Sequence, residues 1–232
     1  MAITRRHFVG GALAASASVA VGRQSIGRPK SSDLNFLIIG DWGDSGSVGQ
    51  RLVAAAMKNA TSYAPPRFVA SVGDNFYPRG VSDPIDEAWL NSYERVYDPV
   101  ALGCPWYAIL GNHDHKGSVA AQIEYSEKSR RWMMPSAYYR RIEPIAPITE
   151  AEFFYLDTTP LVSQQPSVWS RWISGTDPDE QFSWLESCLR SSSAVWKIVV
   201  GHHPIVSAGP HGASPKLVER YADKCIIPIF EP

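Results

Sequence analysis

The stretch Phe68-Val-Ala-Ser-Val72, continued by Gly73-Asp74-Asn75-Phe76-Tyr77, decides the fold of this chain. The apolar run predicts a buried strand, and the Gly-Asp pair predicts a loop that presents a carboxylate at the strand end. In open α/β sheets, chemistry gathers at the carboxyl ends of the strands. Asp74 is therefore a candidate metal ligand that can bridge two ions, and Tyr77 adds a phenol, which suits Fe(III). By itself, the stretch also fits an ordinary turn Asp and a core Tyr.

The same pattern ends three further apolar runs, at 34–39, 106–110 and 195–200. These runs close in polar tips, namely Gly40-Asp41-Trp42-Gly43, Gly111-Asn112-His113-Asp114-His115 and Gly201-His202-His203-Pro204. Helical patterns at 48–63 and 85–96 separate the first three predicted strands, and this alternation indicates parallel β-α-β units. The polar side chains at the strand ends are therefore expected to meet in one cluster.

The candidate site combines carboxylate, phenol, amide and imidazole groups, a mixture that suits a hard trivalent ion beside a borderline divalent one. Its members are Asp41, Asp74, Tyr77, Asn112, His113, His202 and His211. A lone His113 is more often a surface or structural residue, and a His pair at 202–203 also fits core packing or a helix cap. Their positions after strands favour a role at the metal site. His211 lies in Gly209-Pro-His-Gly212, a loop that can fold back over the same site.

These blocks together resemble the purple acid phosphatases, in particular the small, single-domain, tartrate-resistant type within the metallophosphoesterase superfamily. Four of that family's five signature blocks are present: Asp41-Trp42-Gly43, Gly73-Asp74-Asn75-Phe76-Tyr77, Gly111-Asn112-His113-Asp114 and Val199-Val200-Gly201-His202. The segment Leu156-Asp157-Thr158 is also similar to the family. Tyr77 is the most specific match, because other metallophosphoesterases generally lack it.

The resemblance implies the calcineurin-like metallophosphoesterase fold, an α/β fold in which a two-sheet mixed β-sandwich is flanked by helices. It implies an acid phosphatase that hydrolyses phosphate monoesters by attack of a metal-bound hydroxide at a binuclear centre. A trivalent ion ionises its water in acid, and this is the physical basis of an acid optimum. Small-molecule phosphate esters are the implied substrates. A phosphodiesterase on the same centre is the nearest alternative.

Roles follow by matching motifs. Asp41, Asp74 and Tyr77 would hold Fe(III), with Asp74 bridging to the second ion. Asn112 and His202 would hold a divalent partner, which in this family is Fe, Zn or Mn. The histidines that remain, His113 and His211, would bind the phosphoryl oxygens and protonate the leaving alkoxide. Charge transfer from tyrosinate to Fe(III) would colour the protein violet.

The fifth block of the family, Gly-His-x-His, does not occur in the 232 residues. Its two histidines supply one ligand to each metal in the family. We therefore expect a C-terminally truncated member that lacks the last strands, binds metal weakly and is largely inactive, whereas its natural parent is active. A non-catalytic remnant that binds phosphate or a partner is the corresponding alternative function.

The N-terminal segment indicates export. Thr4-Arg5-Arg6-His7-Phe8-Val9 resembles a twin-arginine signal, and the weakly apolar segment 10–22 is too short to span a bilayer. The expected organisation is a signal peptide over 1–20, a linker over 21–32 and an incomplete catalytic domain over 33–232. The expected location is periplasmic or extracellular in a bacterium, without a stable membrane anchor.

Composition excludes little else. A formal net charge of -1 gives no reason to expect nucleic acid as a partner. Cys104, Cys188 and Cys225 are an odd set without metal-binding spacing, and the sequence does not choose a disulfide among them. It does not indicate an oligomeric state. Gly43-Asp44-Ser45-Gly46 is similar to the nucleophile segment of chymotrypsin-like proteases, but only His7 precedes Ser45, so a serine protease is rejected. A serine hydrolase built on Ser45 is kept as a remote third alternative.

Overall fold

The computed structural model describes residues 33–146, 148–162 and 176–205. The first sheet has four parallel strands in the order β1-β2-β3-β4. They span Phe36–Ile39, Phe68–Val72, Trp106–Ile109 and Trp132–Met133. Because the strands are parallel, the ends that carry Asp41, Asp74 and Asn112 lie at one edge, as predicted.

The second sheet has three strands in the order β5-β6-β7. They span Tyr139–Ala146, Thr149–Tyr155 and Trp196–Val200. β5 and β6 are antiparallel, whereas β6 and β7 are parallel, so the sheet is mixed. The predicted strands at 151–156 and 195–200 are thus confirmed within a residue or two, while β4 and β5 lie where no strand was predicted.

The two sheets pack face to face through aromatic side chains. Phe153 of β6 makes edge contacts with Phe36 of β1 and Phe68 of β2, at ring-centroid distances of 5.4 and 5.2 Å. Tyr107 of β3 lies 5.9 Å from Tyr155. Side chains alternate between the faces of a strand, so these residues define the inner faces of a β-sandwich.

Each outer face is covered by a separate layer. Trp106, on the opposite face of β3 from Tyr107, packs among buried aromatic residues that include Trp42, Tyr93 and Tyr97. Phe154, on the outer face of β6, packs against residues of a helix over Pro178–Ser191. The predicted mixed sandwich flanked by helices is therefore confirmed.

The helices largely follow the prediction. In chain order, α1 spans Val48–Tyr63, α2 spans Val119–Lys128, α3 spans Thr159–Val162 and α4 spans Pro178–Ser191. The helix predicted at 85–96 is instead a π-helix over Trp89–Glu94. None of the helices in the described ranges has the length and apolarity needed to cross a membrane. Cys104 and Cys188 are free thiols, and Cys225 lies outside the described residues.

Candidate metal centre

Asp41 and Asp74 hold unusual backbone conformations at the ends of β1 and β2. Their φ angles are 57° and 50°, in the left-handed region that residues other than glycine rarely adopt. This conformation costs roughly 1–2 kcal/mol for most residues, and less for Asp or Asn, whose side chains can bond locally. The two loops also bond each other, since the Asp41 N–H donates to the Gly73 carbonyl at 3.0 Å. An uncommon backbone conformation at two carboxylate residues that are neighbours in space is typical of functional sites.

Two glycines allow these loops to pack at backbone contact. A Cβ added to Gly43 would lie 1.8 Å from the Asn75 carbonyl oxygen. A Cβ added to Gly111 would lie 2.2 Å from Asp74 Oδ1. The loops after β1, β2 and β3 therefore approach so closely that no side chain fits between them, and their polar groups converge.

Tyr77 joins the two carboxylates. Its hydroxyl oxygen lies 2.8 Å from Asp41 Oδ1 and 2.8 Å from Asp74 Oδ2. Burial, reinforced by these two carboxylates, raises the pKa of Tyr77 well above its ordinary value. Without a cation the phenol keeps its proton, whereas a cation among the three oxygens would favour tyrosinate. Three oxygen donors in contact fit a hard ion.

His202 completes the cluster from the second sheet. Its Nδ1 lies 2.9 Å from the Val72 carbonyl oxygen, which can only accept, so Nδ1 carries the proton. In the neutral tautomer that carries this proton, Nε2 offers its lone pair, and it faces Asn112 Oδ1 at 3.3 Å and Asp74 Oδ1 at 3.5 Å. These three atoms then direct lone pairs at one another, and a cation bound among them would accept all three. The hydrogen bond from Nδ1 to the backbone fixes the orientation of the ring, as in many metal sites.

The predicted ligand residues are thus brought together. Ligand atoms of Asp41, Asp74 and His202 all lie within 4.8 Å of one another. Tyr77 contacts the first two residues, and Asn112 contacts the third. The donor set therefore fits a pair of ions with different preferences.

His113 lies at the rim of this cluster. Its N–H donates to Asp74 Oδ1 at 2.8 Å, and its ring packs against Tyr77 with centroids 4.5 Å apart. Its Nδ1 donates to the Pro78 carbonyl at 2.7 Å, leaving Nε2 4.0 Å from Asp74 Oδ2. A half-buried imidazole beside the ligands, and not among them, suits contact with a substrate. His211, the second predicted catalytic histidine, lies outside the described residues.

Asp114 lies beneath the site, a role that sequence reasoning missed. It is fully buried and accepts N–H donors from Gly111 at 2.8 Å, Asn75 at 3.1 Å and the Gln122 side chain at 2.9 Å. Burial raises the pKa of Asp114 to about 6, while these donors act in the opposite direction. The carboxylate therefore ties the residue after Asp74 to the loop that carries Asn112. The sequence signal for this supporting role is the place of Asp114 in the block Gly111-Asn112-His113-Asp114.

His203 gives the metal-free protein a predicted pH dependence. Burial, reinforced by His202, lowers the pKa of His203 from 6.5 to about 4. As the pH falls, His203 binds a proton near pH 6.5 in the unfolded chain but only near pH 4 in the folded chain. Acid therefore lowers the free energy of unfolding between these two pH values. His203→Asn keeps a polar atom opposite Thr158 but cannot titrate. Denaturant unfolding at about pH 7 and about pH 4.5 should show a larger loss for wild type than for the variant. Equal losses would contradict the assignment.

With the geometry established, comparison with known proteins identifies the class. The calcineurin-like phosphoesterase family matches residues 34–226, and the chain belongs to that family. Within it, the chain is similar to purple acid phosphatases, as the four sequence blocks predicted. Purple acid phosphatase 7 of Arabidopsis thaliana is 32% identical over 246 residues, which cover 97% of this chain and 67% of the relative. Tartrate-resistant acid phosphatase type 5 of Rattus norvegicus is 40% identical over 205 residues, covering 81% and 61%.

A solved structure shares the fold. The chain described as "GAP50 the anchor in the inner membrane complex of Plasmodium" has a TM-score of 0.69 and 29% identity. The match covers 82% of this chain and 62% of that one. The present chain spans 56–67% of the length of the first curated relatives that it matches.

Proposed function

We propose that the protein hydrolyses phosphate monoesters at a binuclear metal centre, as an acid phosphatase. The observation that carries the proposal is the meeting of Tyr77 with Asp41 and Asp74, at 2.8 Å from each carboxylate. Phenol and carboxylate oxygens suit Fe(III), whereas Asn112 and His202 suit a divalent ion such as Fe, Zn or Mn. Such ions, when bound, supply Lewis acidity that ionises water and neutralises phosphoryl charge.

The chain's own residues supply the rest of the chemistry. Asp74 contacts groups on both sides of the cluster, through Oδ2 to Tyr77 and through Oδ1 toward His202, which suits a bridging role. His113 is placed to hold a phosphoryl oxygen and to return a proton to the leaving alkoxide. His211, which lies outside the described residues, is proposed for the same task from the sequence.

The activity is tested with the protein as its natural gene encodes it. We expect turnover of p-nitrophenyl phosphate in acid and much slower turnover of bis-p-nitrophenyl phosphate. A faster diester reaction would replace the monoesterase proposal with the phosphodiesterase alternative. A Ser45→Ala control should retain full activity, because Ser45 lies in the loop after β1 without a described histidine beside it.

Replacing Tyr77 with Phe tests the trivalent site. The substitution removes the phenol oxygen that contacts Asp41 and Asp74 but keeps the ring that packs on His113. We expect the violet colour to disappear, because its source is charge transfer from tyrosinate to Fe(III). Visible absorption measured alongside iron content checks this. A violet Tyr77→Phe protein would remove Tyr77 from the ligand set.

A non-catalytic function is the second candidate. Its support is the similarity to the Plasmodium chain that is described as an anchor in the inner membrane complex. Under this alternative the protein binds phosphate or a partner without turnover. Absence of hydrolysis across both ester classes, with inorganic phosphate still bound, would favour it.

Export is a separate proposal. The twin-arginine segment at 4–9 favours delivery of the folded protein outside the cytoplasm, with residues 1–20 removed. Fractionation of a bacterium that expresses the protein, compared with an Arg5→Lys, Arg6→Lys variant, tests it. Periplasmic recovery of the wild type alone is the expected result.

A further inference from the structure

A buried imidazole–carboxylate pair lies behind the metal cluster. His115 Nε2 lies 2.9 Å from Asp157 Oδ1, and the two side chains are 11% and 0% exposed. Because a carboxylate accepts, the imidazole donates through Nε2. The second oxygen, Asp157 Oδ2, is buried and has no partner among the described residues. The proposed centre does not use either residue as a ligand or as a proton donor.

Each member of the pair is fixed to a loop of the site. His115 follows Asn112 by three residues in the short helix Asp114–Lys116, and its N–H donates to the Gly111 carbonyl at 3.3 Å. Asp157 follows β6, and the Gln181 side chain clamps its backbone through two bonds of 2.9 Å. The pair therefore ties the loop after β3 in the first sheet to a rigid point in the second.

The next residue continues the connection. Thr158 Oγ1 accepts the His203 N–H at 3.1 Å and lies 2.8 Å from His203 Nδ1. His203 directly follows His202. The dipeptide Asp157-Thr158 therefore contacts both loops that carry the proposed divalent-ion ligands. The described contacts give it no such link to Asp41 or Tyr77.

We propose that His115 and Asp157 are positioning residues, which couple the loop after β3 to the loop after β7 and set the spacing of Asn112 and His202. The expected effect on binding of the divalent ion rests on the proposed function, whereas the coupling of the two loops does not. Residues that orient ligands typically change metal affinity by about 10–100-fold when they are replaced.

The test uses three variants. His115→Phe keeps a ring but removes the donor, and His115→Gln restores an N–H near the position of Nε2. Met57→Ala, in the buried face of α1, is the control that lowers stability far from both loops. The first measurement is amide hydrogen exchange of the metal-free protein over 111–115 and 201–203.

We expect His115→Phe to accelerate exchange in both segments at least about tenfold, although His115 makes no described hydrogen bond or ion pair with 201–203. His115→Gln should restore slow exchange, and Met57→Ala should not affect these two segments selectively. Acceleration confined to 111–115, or equal behaviour of the Phe and Gln variants, would overturn the proposal.

The second measurement is titration of the Fe(III)-loaded protein with Zn²⁺. His115→Phe should bind Zn²⁺ about tenfold more weakly or worse, while the violet absorption remains. Equal loss of both metals would mean general destabilisation and would overturn the positioning role. If wild type binds no metal, the proposed function fails, and the exchange experiment alone decides the coupling. Should His115→Phe not fold, Thr158→Val serves instead: unchanged exchange at 201–203 would overturn the proposal.

Discussion

Replacing Asp74 with Asn should abolish binding of both metals and reduce phosphatase activity about a thousandfold or more, equivalent to ~4 kcal/mol of transition-state stabilisation. Asp74 is 3% exposed, and its two oxygens face Tyr77 on one side and His113 and His202 on the other. Asn tolerates the left-handed backbone found at this position, with φ of 50°. The expected loss therefore comes from the charge and not from the fold.

Asp44→Asn is the matched control for this substitution. Asp44 is an exposed carboxylate in the loop after β1, close in sequence to Asp41 but absent from the ligand cluster. Metal content and initial rates should be near wild type for this variant. If Asp74→Asn retained two metals, or if Asp44→Asn lost them equally, Asp74 would not be the bridging ligand.

Replacing Gly43 with Ala should lower the free energy of unfolding by ~3 kcal/mol or more. The new Cβ would lie 1.8 Å from the Asn75 carbonyl oxygen and 2.8 Å from the Phe76 Cα, so it meets backbone and no flexible side chain. The loops after β1 and β2 would have to separate, and Asp41 would move away from Asp74. Chemical denaturation measures the loss of stability, and metal content measures the loss of the site.

Gly49→Ala controls for the change of residue type. Gly49 lies in the first turn of α1, where an added Cβ meets only Ser47 Oγ, at 3.9 Å. Alanine in a helix should leave stability unchanged or raise it by up to ~1 kcal/mol. Equal destabilisation at positions 43 and 49 would refute the close approach of the two loops.

The strands that carry the site could be predicted because each is a short apolar run that ends in a polar tip. β4 could not, since Trp132–Met133 has two residues and no period. The buried face of α1 does not follow from its apolar residues either. Leu52 and Val53 are 67% and 47% exposed, while Gln50 is buried. Gln50 occupies a core position because its side chain bonds Gly46 and Ser92, at 2.7 Å each.

The ligand cluster could be predicted for a related reason, since parallel strands place their ends at one edge. The sequence could not predict the residue pairs that hold the ligand-bearing loops in place. Asp157 and His115 are 42 residues apart, and neither position has a local pattern that identifies its partner. Within the basic segment 129–141, Arg131 is likewise buried and pairs with Glu94 at 2.6 Å. Such pairings depend on tertiary structure.

Metal analysis with a visible spectrum, on the protein as its natural gene encodes it, tests the central claim most directly. The claim is that Asp41, Asp74 and Tyr77 bind Fe(III) beside a divalent ion at Asn112 and His202. We predict about two metal ions per chain, at least one of them iron, and a violet protein that loses its colour when Tyr77 is replaced with Phe. A colourless protein without iron, which nevertheless hydrolyses phosphate monoesters, would contradict the claim.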